Sequence, residues 1–299
     1  MALGKNNKRK KRVRAVLLIT LMIPALLITL RAVYAISMFD HVKQEMQASG
    51  WLSTGDDSLM QVKEDLTYEA SYLLFKIGTV RFQVLNKKVY DSIPAYRSRA
   101  YIDSYSGIPF VNLHAVYESL TDARTFMCLF SSNSEKQGDS WVYTSYRFNP
   151  GSRSVNWEKS KDGKIITAAS FPLDRPHTDG VSFFYYLREF SRDAEDRRTY
   201  VSIPMVVDTI CSTVDLTINE KREPCDVAAF DFPVDSYHMS GHINFKGLFG
   251  VTGDFVGWMS SDTAEIPLRA DVKVIIGSVV VKLKDIKRAN WIAPRSADQ

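Results

Sequence analysis

From Leu66 to Leu283 the side chains alternate in character with a period of two, in short runs broken by Gly, Pro, Asn or Asp. A strand points successive side chains to opposite faces, so such runs are half-buried strands. In LTYEASYLLFK, Leu66, Tyr68, Ala70, Tyr72 and Leu74 share a face; in TVRFQV, Val80, Phe82 and Val84 alternate with Thr79, Arg81 and Gln83. Gly78 between the two runs predicts a hairpin turn. YRSRAYIDS, AVYESLTD, TFMCLFS, SWVYTSYRFN and KIITAASF follow too closely for crossover helices, which implies consecutive antiparallel pairing. The pattern resumes with TYVSIPMVV and continues to RADVKVII and SVVVKLKD, with a turn or bulge at Gly277-Ser278. Aromatic residues make up 12% of the chain, a share that suits a pleated core.

One segment departs from period two. HTDGVSFFYYLREFSRDAE, from His177, reads as a helix with Thr178 or Asp179 as its N-cap. Val181, Phe183, Phe184, Tyr185, Tyr186, Leu187 and Phe190 are apolar nearly all round it, so the helix is buried on most sides. The predicted fold is mainly β: a large curved antiparallel sheet or half-barrel wrapped around one buried aromatic helix. Val181, Phe184 and Leu187 are then the candidate lining of any cavity between sheet and helix.

The N-terminus is a different kind of sequence. KNNKRKKRVR precedes an uncharged apolar stretch, Ala15 to Leu30, and RAVYA follows with small residues at Val33 and Ala35. That layout belongs to a secretory signal peptide or, uncleaved, to an anchor in the inner membrane through residues 15–30. Sixteen helical residues rise only ~24 Å against a ~30 Å hydrocarbon core, which favours cleavage after Ala35. The predicted organisation is residues 1–35 as signal or anchor, 36–65 as short helix and linker, 66–285 as one β-rich domain and 286–299 as a polar tail. The net charge of +4 is a property of this leader: it holds eight of the 38 basic residues and no acid, and the remaining 30 basic residues face 34 acids, a balance of −4. An acidic body with a basic leader argues against nucleic-acid binding and for an exported, periplasmic protein.

Cys211 and Cys225 are close enough in sequence to sit on neighbouring strands and form a disulfide in an oxidising compartment; Cys128 is the odd thiol. His238 and His242 form H-x-x-x-H in a turn and strand, without the helix that would make the spacing a metal site, so no metal is expected. No Gly-rich phosphate loop opens a helix, and no cofactor is expected. The polar knot WMSSDTAEIP, between two strands, carries Ser260, Ser261 and Asp262 but no nucleophile elbow, so no catalytic residue is assigned. Trp258 reads as a core or rim aromatic whose indole finds a partner. Asp179, Tyr185, Arg188, Trp258 and Asp262 are the candidate ligand or structural polar contacts. Arg188, on an otherwise apolar helix, either pairs with Asp262 or Glu265 and locks helix to sheet, or faces a cavity and holds an anionic head group.

Two stretches carry a family resemblance: DGVSFFYYLR (Asp179 to Arg188), and Trp258, Ser260, Asp262 and Pro267 leading into GSVVVKL. With the early Tyr-rich strand they resemble the domain-of-unknown-function family 3108, exported proteins of Gram-negative bacteria, over roughly Leu66 to Leu283. Ser261 stands where a second Asp is expected, and Glu265 where a basic residue is. The resemblance implies a periplasmic antiparallel β-rich body and brings no established activity. Three functions follow as expectations. The first is a non-enzymatic carrier for an apolar or amphipathic envelope molecule such as a lipid, a reading that the architectural similarity to periplasmic lipoprotein carriers also suggests. The second is an envelope structural or assembly factor, and the third a hydrolase of envelope glycans or lipids. The oligomeric state is not legible in the sequence.

Overall fold

The computed structural model describes residues 59–108, 112–193, 200–245, 252–274 and 277–296, without the side chains of 190–193 and 220. The expected signal or anchor, the short helix after it and most of the linker lie outside the described residues. The body is 66% strand. The first strands are β1 (Asp65–Tyr72), β2 (Phe75–Tyr90), β3 (Ile93–Ser104), β4 (His114–Asp122), β5 (Cys128–Gln137), β6 (Ser140–Asn149), β7 (Ser154–Lys161) and β8 (Lys164–Pro172). Helix α1 (Gly180–Asp193) follows, then β9 (Tyr200–Val207), β10 (Ile210–Cys225), β11 (Val234–Ile243), β12 (Gly253–Ser260), β13 (Pro267–Lys273) and β14 (Ser278–Lys287). All fourteen strands form one antiparallel sheet in the order β8 to β1, then β14 to β9. The chain thus lays one meander outward from β1, crosses with the helix, and lays a second back to β14, which pairs with β1 (Tyr68 opposite Leu283).

The helix explains how one open sheet acquires a core. Val181 and Tyr185 pack with Val84, Tyr96 and Ala100 of the first meander. Leu187 packs with Ile203, Leu216, Ile218, Met239 and Met259 of the second. Phe184 meets Leu66, Tyr68, Ile266, Leu268 and Leu283 where the two meet. A helix contacted on several sides needs apolar residues nearly all round.

Three boundaries differ from the sequence reading. The first hairpin turns at Leu73-Leu74, since Tyr72 pairs with Phe75. Gly78 lies inside β2, where a Cβ would stand 2.3 Å from the Asp103 carbonyl oxygen. Its glycine serves close strand approach, a role that reads like a turn in sequence. The packed body also begins inside the expected linker, with Leu59, Met60 and Glu64 buried. At the other end, the expected polar tail is tied down: Asp235 N–H donates to Pro294 O at 2.9 Å, Ser296 N–H to Pro233 O at 3.0 Å, and Trp291 packs near Phe230.

Candidate functional site

Arg188 is 0% exposed and its partner is Glu64, 1% exposed. The guanidinium donates from Nη1 to Glu64 Oε1 at 2.7 Å and from Nη2 to Oε2 at 3.2 Å. Its Nε and Nη2 also donate to the Ala264 carbonyl at 3.1 and 3.0 Å. Neither Asp262 nor Glu265 is the ion-pair partner; the carboxylate comes from the stretch expected to be linker. Burial opposes the charge, and the Glu64 carboxylate outweighs burial and holds the guanidinium protonated. Arg288 reaches the second Glu64 oxygen and donates to Leu59 O at 3.3 Å. One carboxylate therefore serves two arginines, and with Ala264 it ties α1 to both ends of the body. The geometry is that of a lock between helix and sheet.

Asp179 is the N-cap. Its Oδ1 accepts the Ser182 N–H at 2.9 Å, while its own N–H donates to Ser182 Oγ at 2.9 Å, a reciprocal capping box. Ser119 Oγ of β4 donates to the same carboxylate at 3.0 Å, which joins the cap to the sheet. Burial raises the Asp179 pKa, against the hydrogen bonds from Ser182 and Ser119. Tyr185 is wholly buried, and its hydroxyl has no partner among the described residues. Val181 and Leu187 belong to packed clusters, and Phe184 stacks on Phe82 at 4.0 Å between centroids. Of the three expected lining residues, Val181 and Leu187 are core, and Phe184 is half-buried against the packed clusters.

The polar knot is a corner. Ser260 N–H donates to Ile266 O at 2.8 Å, and Ser260 Oγ donates to Asp262 Oδ1 at 2.6 Å while accepting the Ile266 N–H at 2.8 Å. Trp291 Nε1 donates to the other Asp262 oxygen, and Ser261 Oγ to Asp235 Oδ2 at 2.6 Å. Every polar side chain of Ser260-Ser261-Asp262 is thus spent on holding β11, β12, β13 and the C-terminal segment together. Trp258, half-buried, donates to Glu223 and lies under the Arg269 guanidinium at 4.7 Å.

The expected disulfide does not form. Cys211 and Cys225 lie on one strand, β10, and fourteen residues of strand separate them by roughly 45 Å. Cys211 is exposed, Cys225 and Cys128 are buried, and all three are free. His238 meets Asn219 and His242 meets Asp254.

A second set of half-buried polar side chains lies on β4–β6, where no sequence motif marked them. Ser119 faces the helix, so its cross-strand neighbours Ser131 and Tyr146 face the same way. Two positions further along each strand come Tyr117 and Asn133, and beyond them Glu135. Tyr117, Asn133, Glu135 and Tyr146 are each half-buried. Tyr117 Oη donates to Glu135 Oε1 at 2.8 Å, and Asn133 Nδ2 donates to the same oxygen at 3.0 Å. The Asn133 Oδ1 accepts no hydrogen bond among the described residues. Burial, then the Glu135 carboxylate, pushes the Tyr117 hydroxyl well up; burial, then the Asp208 carboxylate, brings Tyr146 up to about 12. Both phenols are thus neutral donors at any physiological pH. The signal was the register of three strands, which appears only once they are paired.

In overall fold the chain is similar to a β-barrel-like protein of the DUF1849 domain from Brucella abortus, at 8% identity and a TM-score of 0.53, covering 78% of this chain and all of that one. A protein described as exported, with a YmcC-like fold, from Bacteroides fragilis matches at 10% identity and TM-score 0.30 over 77% and 98% of the two chains. A protein described as a lipoprotein, from Parabacteroides distasonis, matches at 10% identity and TM-score 0.31 over 77% and 97%. No curated protein matches the sequence. The family model for "Protein of unknown function (DUF3108)" matches residues 67–284, nearly the whole described body. The chain belongs to the DUF3108 family.

Proposed function

We propose that the protein is a non-enzymatic binding protein of the cell envelope, exported to the periplasm by its leader. Its ligand is an amphipathic envelope molecule with hydroxyl, amide or amine groups. The observation that supports this reading is the half-buried surface on the helix-bearing face of β4–β6. Tyr117 and Tyr146 are half-buried there, Glu135 is an acceptor held by two donors, and the Asn133 Oδ1 is a buried acceptor still in need of a donor. A buried unpaired acceptor is costly, and a ligand donor would relieve it. This places the ligand away from the side of α1 that Val181, Tyr185 and Leu187 commit to packing. The protein, purified natively from its own periplasm, is expected to carry a bound mass in native mass spectrometry. Asn133→Leu is expected to lower retention of that mass by about tenfold with an unchanged melting curve. A wild-type protein free of bound mass would overturn the reading.

A second reading, an assembly factor, is favoured by β8. It is an edge of the sheet, almost wholly exposed, and Lys164 is its one charged residue. Natural edges are normally guarded by charge against strand addition. Cross-linking from Ala168→Cys to another envelope protein would favour this reading.

A further inference from the structure

The β1–β2 hairpin ends in three consecutive large apolar residues that touch almost nothing: Leu73 is 68% exposed, Leu74 97% and Phe75 68%. Its two-residue loop also works against its own sequence. Leu73 sits at φ +53°, in the left-handed region, at the first loop position, where glycine is favoured. A leucine there is strained, and exposing it gains nothing for the fold. Asn or Gly would serve the turn better on both counts. A residue that costs the fold something and packs against nothing is retained for what it meets outside.

The surroundings say what that is. Because neighbouring strands are antiparallel, the β3–β4 and β13–β14 connections lie at the same end of the sheet, and Ile108 and Val274 on them are half-exposed. Behind the apolar tip comes a polar collar. Lys76 pairs with Glu69 at 2.6 Å, and Lys284 with Glu69 at 3.1 Å. Tyr105 Oη donates to Glu69 at 3.0 Å and accepts from Lys284 at 3.3 Å. Two lysines and one glutamate leave the collar at +1. Asp103, in the same cross-strand row, hydrogen-bonds His114 at 2.9 Å, and Lys282, opposite Glu69 in that row, offsets its charge. Glu69 lies three residues from Tyr72, so the collar begins about 10 Å behind the tip. Apolar residues outermost, then a collar about 10 Å behind them in which the Tyr105 hydroxyl and the two ammoniums stand at one level around Glu69, match the profile of a bilayer interface: acyl chains, then anionic head groups.

We infer that the Leu73-Leu74-Phe75 hairpin is a membrane-docking tip that enters the outer few ångströms of an anionic phospholipid leaflet, with Lys76 and Lys284 at its head groups. The inference is independent of the carrier reading, since an assembly factor could use the same tip. An apolar pocket of another protein is the rival occupant, but the collar favours lipid: its lysines stand at the depth where phosphates would be.

The test uses the full chain with Cys211→Ser, which removes the exposed thiol. An environment-sensitive fluorophore is placed at Leu74→Cys or, at the opposite end of the sheet, at Ser152→Cys. Vesicles of phosphatidylethanolamine and phosphatidylglycerol are added, with and without an acyl-chain quencher. The label at 74 is expected to shift to the blue and be quenched, and the label at 152 to do neither. Replacing the anionic lipid by phosphatidylcholine is expected to weaken the shift. The leader can hold the chain on vesicles by itself, so a label at 74 that stays in water on vesicle-bound protein overturns the inference. So does a shift that appears only when a second envelope protein is added. Leu73→Asn gives the control on folding. Relief of the left-handed strain is expected to leave the melting temperature unchanged or higher, while the fluorescence change at 74 falls. A lower melting temperature would mean that Leu73 serves the fold, and would overturn the assignment.

Discussion

At the scale of single residues, the Glu64–Arg188–Arg288 cluster sets the largest electrostatic stakes in the body. Removing one member of a buried pair leaves an uncompensated charge, at about 3–5 kcal/mol. The shared carboxylate makes the members unequal. Arg188→Met leaves Glu64 paired with Arg288, whereas Glu64→Gln leaves two buried guanidiniums facing a neutral amide. Glu64→Gln is therefore expected to lower the denaturation midpoint more than Arg188→Met, with the double variant coupled by roughly 0.5–3 kcal/mol. Equal effects without coupling would remove the lock. Glu69 gives a pH test. Burial pushes its carboxyl up, but the hydrogen bonds from Lys76, Lys284 and Tyr105 prevail and bring it from 4.5 to about 2. A carboxylate whose folded pKa is depressed contributes stability above the unfolded value and loses it as pH falls through the folded value. Thermal melts between pH 5 and pH 2 are expected to fall more steeply for wild type than for Glu69→Gln. The lysines are well exposed, so the difference is small and shrinks further in salt. Arg188 was conspicuous in the sequence as a charge on an apolar helix. Glu64 was not, because nothing local marks which of 34 acids meets it.

At the scale of elements, α1 derives its position from its cap and from contacts on several sides. Asp179→Ala removes the acceptor of both Ser182 N–H and Ser119 Oγ, and is expected to cost about 1–2 kcal/mol in chemical denaturation. Asp179→Asn keeps an acceptor and is expected to be close to wild type at neutral pH. Phe184 stacks on Phe82 and meets Tyr68 edge-on at 6.0 Å, so Phe184→Ala is expected to cost about 3–5 kcal/mol by the same measurement. A cost below about 1 kcal/mol would mean that the ring faces a space, and would return α1 to the list of ligand surfaces. The helix and its cap were legible because both signals are local: Asp179 sits at the break in the strand pattern, and the apolar residues after it pass the helical period. The first hairpin was misread at Gly78, because a glycine needed for close strand approach and a glycine needed for a turn are the same letter. What separates them is the Asp103 carbonyl, on another strand.

At the scale of the whole molecule, the free cysteines give a direct check. One thiol, Cys211, is expected to react with an alkylating agent in the native state, more slowly than a free thiol because burial and the Asp174 carboxylate raise its pKa, and Cys128 and Cys225 only after unfolding. Reductant is expected to leave the melting temperature unmoved, and a drop would restore a disulfide. The sequence by itself determined the class of fold: period-two alternation is a property of each strand alone, short connections allow only antiparallel pairing, and one helical period among strands leaves a helix to fill the sheet. The leader's basic and apolar blocks are equally local. Only the tertiary structure decided which residues meet across the sheet. Cross-strand register brought Tyr117, Asn133, Glu135 and Tyr146 onto one surface. The return of the chain to β14 delivered Arg288 to Glu64, and the continuity of β10 kept two cysteines apart. Each of those outcomes is a contact between residues distant in sequence. Such contacts depend on register and closure of the whole sheet, which no window of neighbouring residues contains.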